Sequence, residues 1–217
     1  MTKKIDSYLK SFTNIPLEDL TYDNIYHELI CHENSNLRLC SKTIDDIYES
    51  LIVEHKSSLK LSNKSLYLFS KRELSANYFI SLGIFLKLST ITESLDKLIT
   101  YLRKKKYLYQ GNLSIYDNVG YLTLNFQDFD DAKKIIDYLN NRHKEYLYSV
   151  NPLFFSVDNV MFSLTMDYSY PEILTNYLIS FINEMHTNKQ DLDYQNFKIY
   201  MLNKYYKLDN QQDMHRT

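Results

Sequence analysis

From Tyr78 to Leu88 every second residue is large and apolar: Tyr78, Ile80, Leu82, Ile84, Leu86 and Leu88. Strand side chains alternate between two faces, so this stretch predicts a strand with one continuous apolar face that must be buried. The intervening residues are Phe79, Ser81, Gly83, Phe85 and Lys87, which mix aromatic, small and polar character. The fold therefore has to supply helices or another layer for the first face, while the second is left open to question.

The next segments of the chain supply the helices. A helix is expected from about 92 to 107, opened by Thr92-Glu93-Ser94-Leu95, with Leu95, Leu98, Ile99 and Leu102 as its apolar stripe. Two strands come next, 113–116 and 119–126, joined at Asp117-Asn118, where asparagine tolerates positive φ. A second helix is expected over 128–146. Asp128, Asp130 and Asp131 favour its N-terminus, and Ala132, Ile135, Ile136 and Leu139 form its inner face. The pattern recurs with strands 153–157 and 160–166 around Asp158-Asn159 and a helix over 171–186. A short strand, 65–69, precedes the long one, and residues 66–88 with the next helix read as a first, divergent copy. A hairpin–helix unit repeated in this way makes one antiparallel sheet covered by helices.

The expected class is α+β: an antiparallel sheet covered by helices, with a ferredoxin-like or repeated hairpin–helix centre and a helical N-terminal region. Residues 1–62 read as that helical region. Leu17, Leu20, Ile25, Leu29 and Ile30 share one face, with Pro16 and Asn14 at the start, and Ile44, Ile47, Tyr48, Leu51 and Ile52 share another. Residues 63–188 form the α+β domain. Residues 189–217 form a polar tail with one further helix over 194–206.

Composition narrows function by exclusion. Three glycines leave no Gly-rich phosphate cradle. A net charge of −2 lacks the basic excess that duplex binding requires. Arg103, Lys104, Lys105 and Lys106 form the one basic run; at the end of a helix such a run also satisfies the macrodipole. Two cysteines make no disulfide framework, no apolar leader follows Met1, and no run is long enough to span a membrane, so a reducing cytoplasm, bacterial or host, is expected. The wealth of Tyr, Asn, Ile and Lys reads as AT-rich coding, as in a phage, virus or mobile element.

Residues 84–157 run strand, helix, strand, strand, helix, strand, the ferredoxin-like order. Ile84-Phe85-Leu86-Lys87-Leu88 is similar to the shorter strand motif of RNA recognition motif domains. Val119-Gly120-Tyr121-Leu122-Thr123-Leu124-Asn125-Phe126 is similar to the longer one. Asp128-Phe129-Asp130-Asp131-Ala132 resembles the start of that family's second helix. The resemblance implies that Leu122, Leu124 and Phe126 face the core. It also implies that Phe85 and Tyr121 face outward as base-stacking positions, with Lys87, Arg103, Lys104 and Lys105 beside them. Val119 stands where the family carries a basic residue, Thr123 where it carries a second aromatic, and Leu122 where it prefers a small one.

Catalytic motifs are missing. His27-Glu28-Leu29-Ile30-Cys31-His32 lacks the i, i+4 histidine pair of a zinc protease, and no Cys-x-x-Cys supports zinc on His27, Cys31 and Cys40. No Gly-x-Ser-x-Gly occurs, and the paired aspartates are adjacent, hence on different helix faces. No cofactor and no metal are expected. Tyrosine, at 21 residues, is the remaining signal, since it combines apolar area with a polar tip and is enriched at interfaces. The sequence reads as a non-enzymatic regulator, inhibitor or accessory factor with a protein partner or a second copy of itself. Phe154, Tyr116, Tyr107 and Tyr109 are the partner-binding candidates. Single-stranded RNA or DNA on the aromatic sheet face is the alternative.

Overall fold

The computed structural model describes residues 2–31, 42–62, 65–71, 74, 79–116, 119–165 and 170–203. The chain divides into two compact units, residues 27–170 and residues 1–26 together with 171–217. This is not the expected division at 62 and 188. The first and last segments share a unit, and the second half of the N-terminal region belongs with the sheet.

The unit of residues 27–170 carries a seven-stranded antiparallel sheet. Its strands are β1 (Leu59–Ser62), β2 (Ser65–Phe69), β3 (Phe79–Lys87), β4 (Gln110–Tyr116), β5 (Val119–Phe126), β6 (Ser156–Val157) and β7 (Val160–Thr165), in the order β1-β2-β4-β5-β3-β7-β6. Three helices belong to it: α3 (Ile44–His55), α4 (Ile91–Lys105) and α5 (Phe129–Arg142). The class expected from sequence is the class observed. The central order β4-β5-β3-β7, with α4 and α5 in the crossovers, is the ferredoxin-like arrangement. Its fourth strand is β7, however, and the segment expected at 153–157 contributes only the two-residue β6. Nor do β2 and β3 form a hairpin, because β2 pairs with β1 and β4. β1 is a strand where a helical region was expected: Leu59 and Leu61 alternate with Lys60, but four residues give too short a pattern to separate from a helix.

Local chemistry explains the boundaries. Thr43 opens α3 through a capping box, accepting from the Asp46 N–H at 3.2 Å while Asp46 accepts from the Thr43 N–H at 2.8 Å. Asp128 accepts from the Asp131 N–H at 3.0 Å and opens α5. In the β6–β7 turn the positive φ falls on Asp158 rather than Asn159. Asn140 of α5 holds that turn, donating to the Val157 carbonyl at 3.0 Å and accepting from the Asn159 N–H at 3.3 Å.

The core lies on the even-numbered face of β3. Ile80, Leu82, Ile84 and Leu86 join Leu122, Leu124 and Phe126 of β5 and Leu113 of β4. Against them pack Leu95, Leu98, Ile99 and Leu102 of α4, Ala132, Ile135, Ile136 and Leu139 of α5, and Ile47 and Leu51 of α3. Each such Leu or Ile contributes about 1.5–3 kcal/mol when fully buried. Gly120 permits this packing, because the methyl end of Ile91 occupies the space a Cβ would take.

β7 pairs with β3 only as far as Ile84. Beyond that point the chain after α5 completes the edge. Leu147 bridges Leu86, the Tyr148 N–H donates to the Phe85 carbonyl at 2.8 Å, and the Lys87 ammonium donates to the Glu145 carbonyl at 2.7 Å. Backbone groups that would otherwise be left bare are thereby paired.

In the other unit, α1 (Thr2–Ser11) buries Ile5, Tyr8 and Leu9, and α6 (Tyr170–Asn188) buries Leu174, Leu178, Phe181, Ile182 and Met185. A helix beginning at 194 adds Phe197 and Tyr200, whose rings contact Phe181 at 5.1 and 5.5 Å. The Asp6 carboxylate accepts from the Tyr194 N–H at 2.7 Å, tying the two ends of the unit together. α2 (Tyr22–Cys31) starts later than the Pro16 signal suggested. Residues 17–19 form a short 3₁₀ turn with Leu17 54% exposed, and Thr21 accepts from the Asn24 N–H. Among the described residues no helix is long and apolar enough to cross a membrane.

Candidate ligand-binding cleft at the end of α4

The sheet face that the RNA recognition motif resemblance left open is not open. Phe85 is 1% exposed, Tyr121 4% and Phe154 3%. The ladder sets Phe85 opposite Tyr121, and their rings stack at 5.2 Å. Phe154 stacks on the other side of Phe85 at 6.1 Å. Met161 lies across Gly83, with its methyl end where a Cβ would stand. A base can stack only on a ring that solvent reaches, so in this conformation these three rings make no platform. The expectation of outward, accessible aromatics is corrected here. Alternation placed Phe85 and Tyr121 on one side of the sheet, and there the rings stack on each other with Phe154 beside them. Lys87 is turned to the Glu145 carbonyl.

The other candidates converge at the C-terminal end of α4. There the chain forms a cleft of about 930 Å³ lined by Ser58, Ser70, Lys71, Thr100, Arg103, Lys104, Lys106, Tyr107, Leu108 and Tyr109. Four of those residues were singled out as site candidates, but for two different roles. Tyr116, at the far end of β4, and Lys105 are not part of the lining. A second cleft of about 520 Å³ shares Ser70 and Tyr109 with it and adds Lys60 and Tyr67.

Several local features build the cleft. α4 stops on Lys106, which adopts the left-handed conformation at φ 57° and donates its N–H back to the carbonyls of Arg103 and Leu102. Glycine usually fills that position, and a lysine there carries strain of about 1–2 kcal/mol. The stop turns Tyr107, Leu108 and Tyr109 sharply away from the helix and leaves Arg103, Lys104 and Lys106 around one opening. Tyr109 is then locked to Ser70, whose N–H donates to the Tyr109 carbonyl at 3.0 Å and whose Oγ accepts the Tyr109 N–H at 3.2 Å.

Arg103 is held from behind. Its Nη1 donates to the Glu54 carbonyl at 3.0 Å and lies 3.3 Å from Nδ1 of His55. A guanidinium only donates, so Nδ1 of the buried His55 accepts. The imidazole proton therefore sits on Nε2, which donates to Asp96 Oδ1 at 2.7 Å. Glu54, His55 and Asp96 bring ligand atoms within 4.8 Å of one another, a spacing a cation could use. The guanidinium against the same imidazole opposes that use. The zinc set considered from sequence cannot be placed, because Cys40 and the Cys31 side chain lie outside the described residues.

Burial pushes the Tyr109 phenol up, against the opposing pull of Ser58 and Arg103 nearby. Tyr107 is pushed up to about 12, first by burial and then by Tyr101 and Asp131. Both phenols are therefore neutral donors at pH 7. Tyr101 supports this side of the cleft, stacking on Tyr138 with centroids 3.7 Å apart and contacting Tyr107 at 6.2 Å. The described lining thus offers four cations, three aliphatic hydroxyls and two phenols, and no carboxylate. Its chemistry suits an anionic ligand with an apolar portion for Leu108.

His55, Asp96, Ser58 and Lys71 escaped the sequence reading. They are scattered over two helices, a 3₁₀ turn and a loop, with no spacing to connect them. Only the left-handed stop at Lys106 had a local signal, the end of the apolar stripe at Leu102.

No protein-family model matches the chain, and no curated protein sequence matches it. Among solved structures it is similar to an effector protein from Pseudomonas syringae pv. syringae strain 61, at 12% identity and a TM-score of 0.46, with 84% of this chain and 77% of that one covered. It is similar as well to an effector protein from Pseudomonas syringae pv. tomato strain DC3000, at 13% identity and a TM-score of 0.44, covering 82% and 77%.

Proposed function

We propose that the protein is a non-enzymatic binding protein that engages a protein partner by taking an acidic, partly apolar segment into the cleft at the end of α4. The observation that carries this reading is the charge of the lining. Lys71, Arg103, Lys104 and Lys106 meet there without a described acid, in a chain whose overall charge is −2. Charge so concentrated against the trend of the chain favours an anionic partner and speeds its approach. The tyrosines and Leu108 provide the apolar contact that an acidic protein segment can fill.

The test is a titration of the full chain with a fluorescent peptide of alternating Glu and Tyr, and in parallel with a single-stranded oligothymidylate, at low and high salt. Peptide binding that falls about tenfold or more in a Lys71→Glu, Lys104→Glu double variant is the expected result. Oligonucleotide binding that is tighter than peptide binding and fails in the same variant would move the reading to nucleic acid. No binding of either probe at low salt would remove the cleft from consideration.

A further inference from the structure

On the reading of this cleft as the partner-binding site, we infer that Arg103 forms an oxyanion subsite within it, and that the group it takes is an aspartate or glutamate carboxylate of the partner segment. Arg103 carries five N–H groups, and the two on Nη1 are directed at the Glu54 carbonyl and at His55. The N–H groups of Nε and Nη2 make no hydrogen bond among the described residues, and Arg103 lines the cleft. The guanidinium is thus fixed at one nitrogen and presents its remaining edge, the geometry that binds a carboxylate through two parallel bonds.

Tyr109 lines the same cleft as a packing residue. The residue is 2% exposed and its hydroxyl is enclosed beside Ser58, so the ring packs behind Arg103's cleft rather than reaching a ligand. His55 acts as a positioning residue. Its Nδ1 lone pair steers Nη1, and Asp96 fixes the tautomer that makes this lone pair available.

The experiment uses the full chain, the Glu–Tyr peptide and inorganic phosphate as a competing oxyanion. Arg103→Lys keeps the charge and loses the fork, so it isolates the subsite from general attraction. The expected result is about a tenfold or greater loss of peptide affinity in Arg103→Lys, with Tyr109→Phe, which keeps the ring and the packing, within about twofold of wild type. Phosphate should compete with the peptide on the wild type and compete less on Arg103→Lys. Arg103→Lys binding the peptide within about twofold of wild type would overturn the subsite. If the Lys71→Glu, Lys104→Glu variant still fails in that case, the partner-binding reading stands without it. Saturable phosphate binding with no peptide binding would overturn the partner carboxylate as the source and assign the subsite to the free anion.

Discussion

The unit of residues 27–170 holds two aromatic groups that look alike in sequence and behave oppositely in the fold. Phe85, Tyr121 and Phe154 lie on neighbouring strands and a loop; Tyr101, Tyr107 and Tyr109 lie around the end of one helix. In the first group, register sets ring opposite ring, and all three are sealed from solvent. In the second, the chain turns sharply at Lys106, so the rings alternate with Arg103, Lys104 and Lys106 and only Tyr109 is buried. A tyrosine on a paired strand finds apolar neighbours on two sides. One at a helix stop finds the cations that helix termini attract. The surroundings rather than the rings decide which group can meet a ligand.

The contrast can be broken most forcefully at Phe85. Phe85→Ala should destabilise the fold by about 3–5 kcal/mol, read from urea unfolding, while a folded fraction keeps its peptide affinity. A loss below about 1 kcal/mol would mean that the face is open after all. Gly83→Ala comes next. Its new Cβ meets Met161 and comes within 3.3 Å of the Tyr121 ring, so a loss of about 1–3 kcal/mol is expected.

A third aromatic group, Tyr138, His143 and Tyr146, gives a smaller, pH-dependent effect. His143 is buried between the two tyrosines, at 4.8 and 5.2 Å, and neither ring nitrogen has a hydrogen-bond partner among the described residues. Burial, then the charge of Lys97, holds its pKa below 6.5, with Glu145 acting the other way. The unfolded chain therefore takes up this proton first, and stability should fall as pH drops from about 6.5 toward the lower folded value. His143→Leu should flatten that slope in unfolding measured at stepped pH; an unchanged slope would assign it to other groups. Least affected of all should be the stability of Lys104→Ala, within about 0.5 kcal/mol of wild type by thermal melting. A larger loss would make the cleft a structural feature and weaken the contrast.

Much of the frame was readable because periodicity reports burial directly. The even positions from Ile80 to Leu86, the stripe of α4 and the stripe of α5 all lie where their spacing put them. The odd face was misread for a physical reason. Alternation shows that Phe85 and Tyr121 share a side, but not that Phe154, more than thirty residues later, is returned to cover them. The cleft was legible only in fragments. Arg103 and Lys104 were seen as charge and Tyr107 and Tyr109 as contact area, whereas the link between them is the fold of the chain at Lys106. Phe129 and Phe155, 57% and 63% exposed, were not singled out as contact residues, since nothing local separates an exposed phenylalanine from a buried one.

The division into units bears on how the chain is made. The segment 1–26 belongs with residues 171–217, and the whole of 27–170 is translated between them. At about 5–20 residues per second, the first helix leaves the ribosome roughly 7–30 seconds before its structural companions exist. In that interval Ile5, Tyr8, Leu9 and Phe12 are bare while the sheet unit can already close. The middle of this sequence can thus be folded while the segment that precedes it still waits for the rest of its unit.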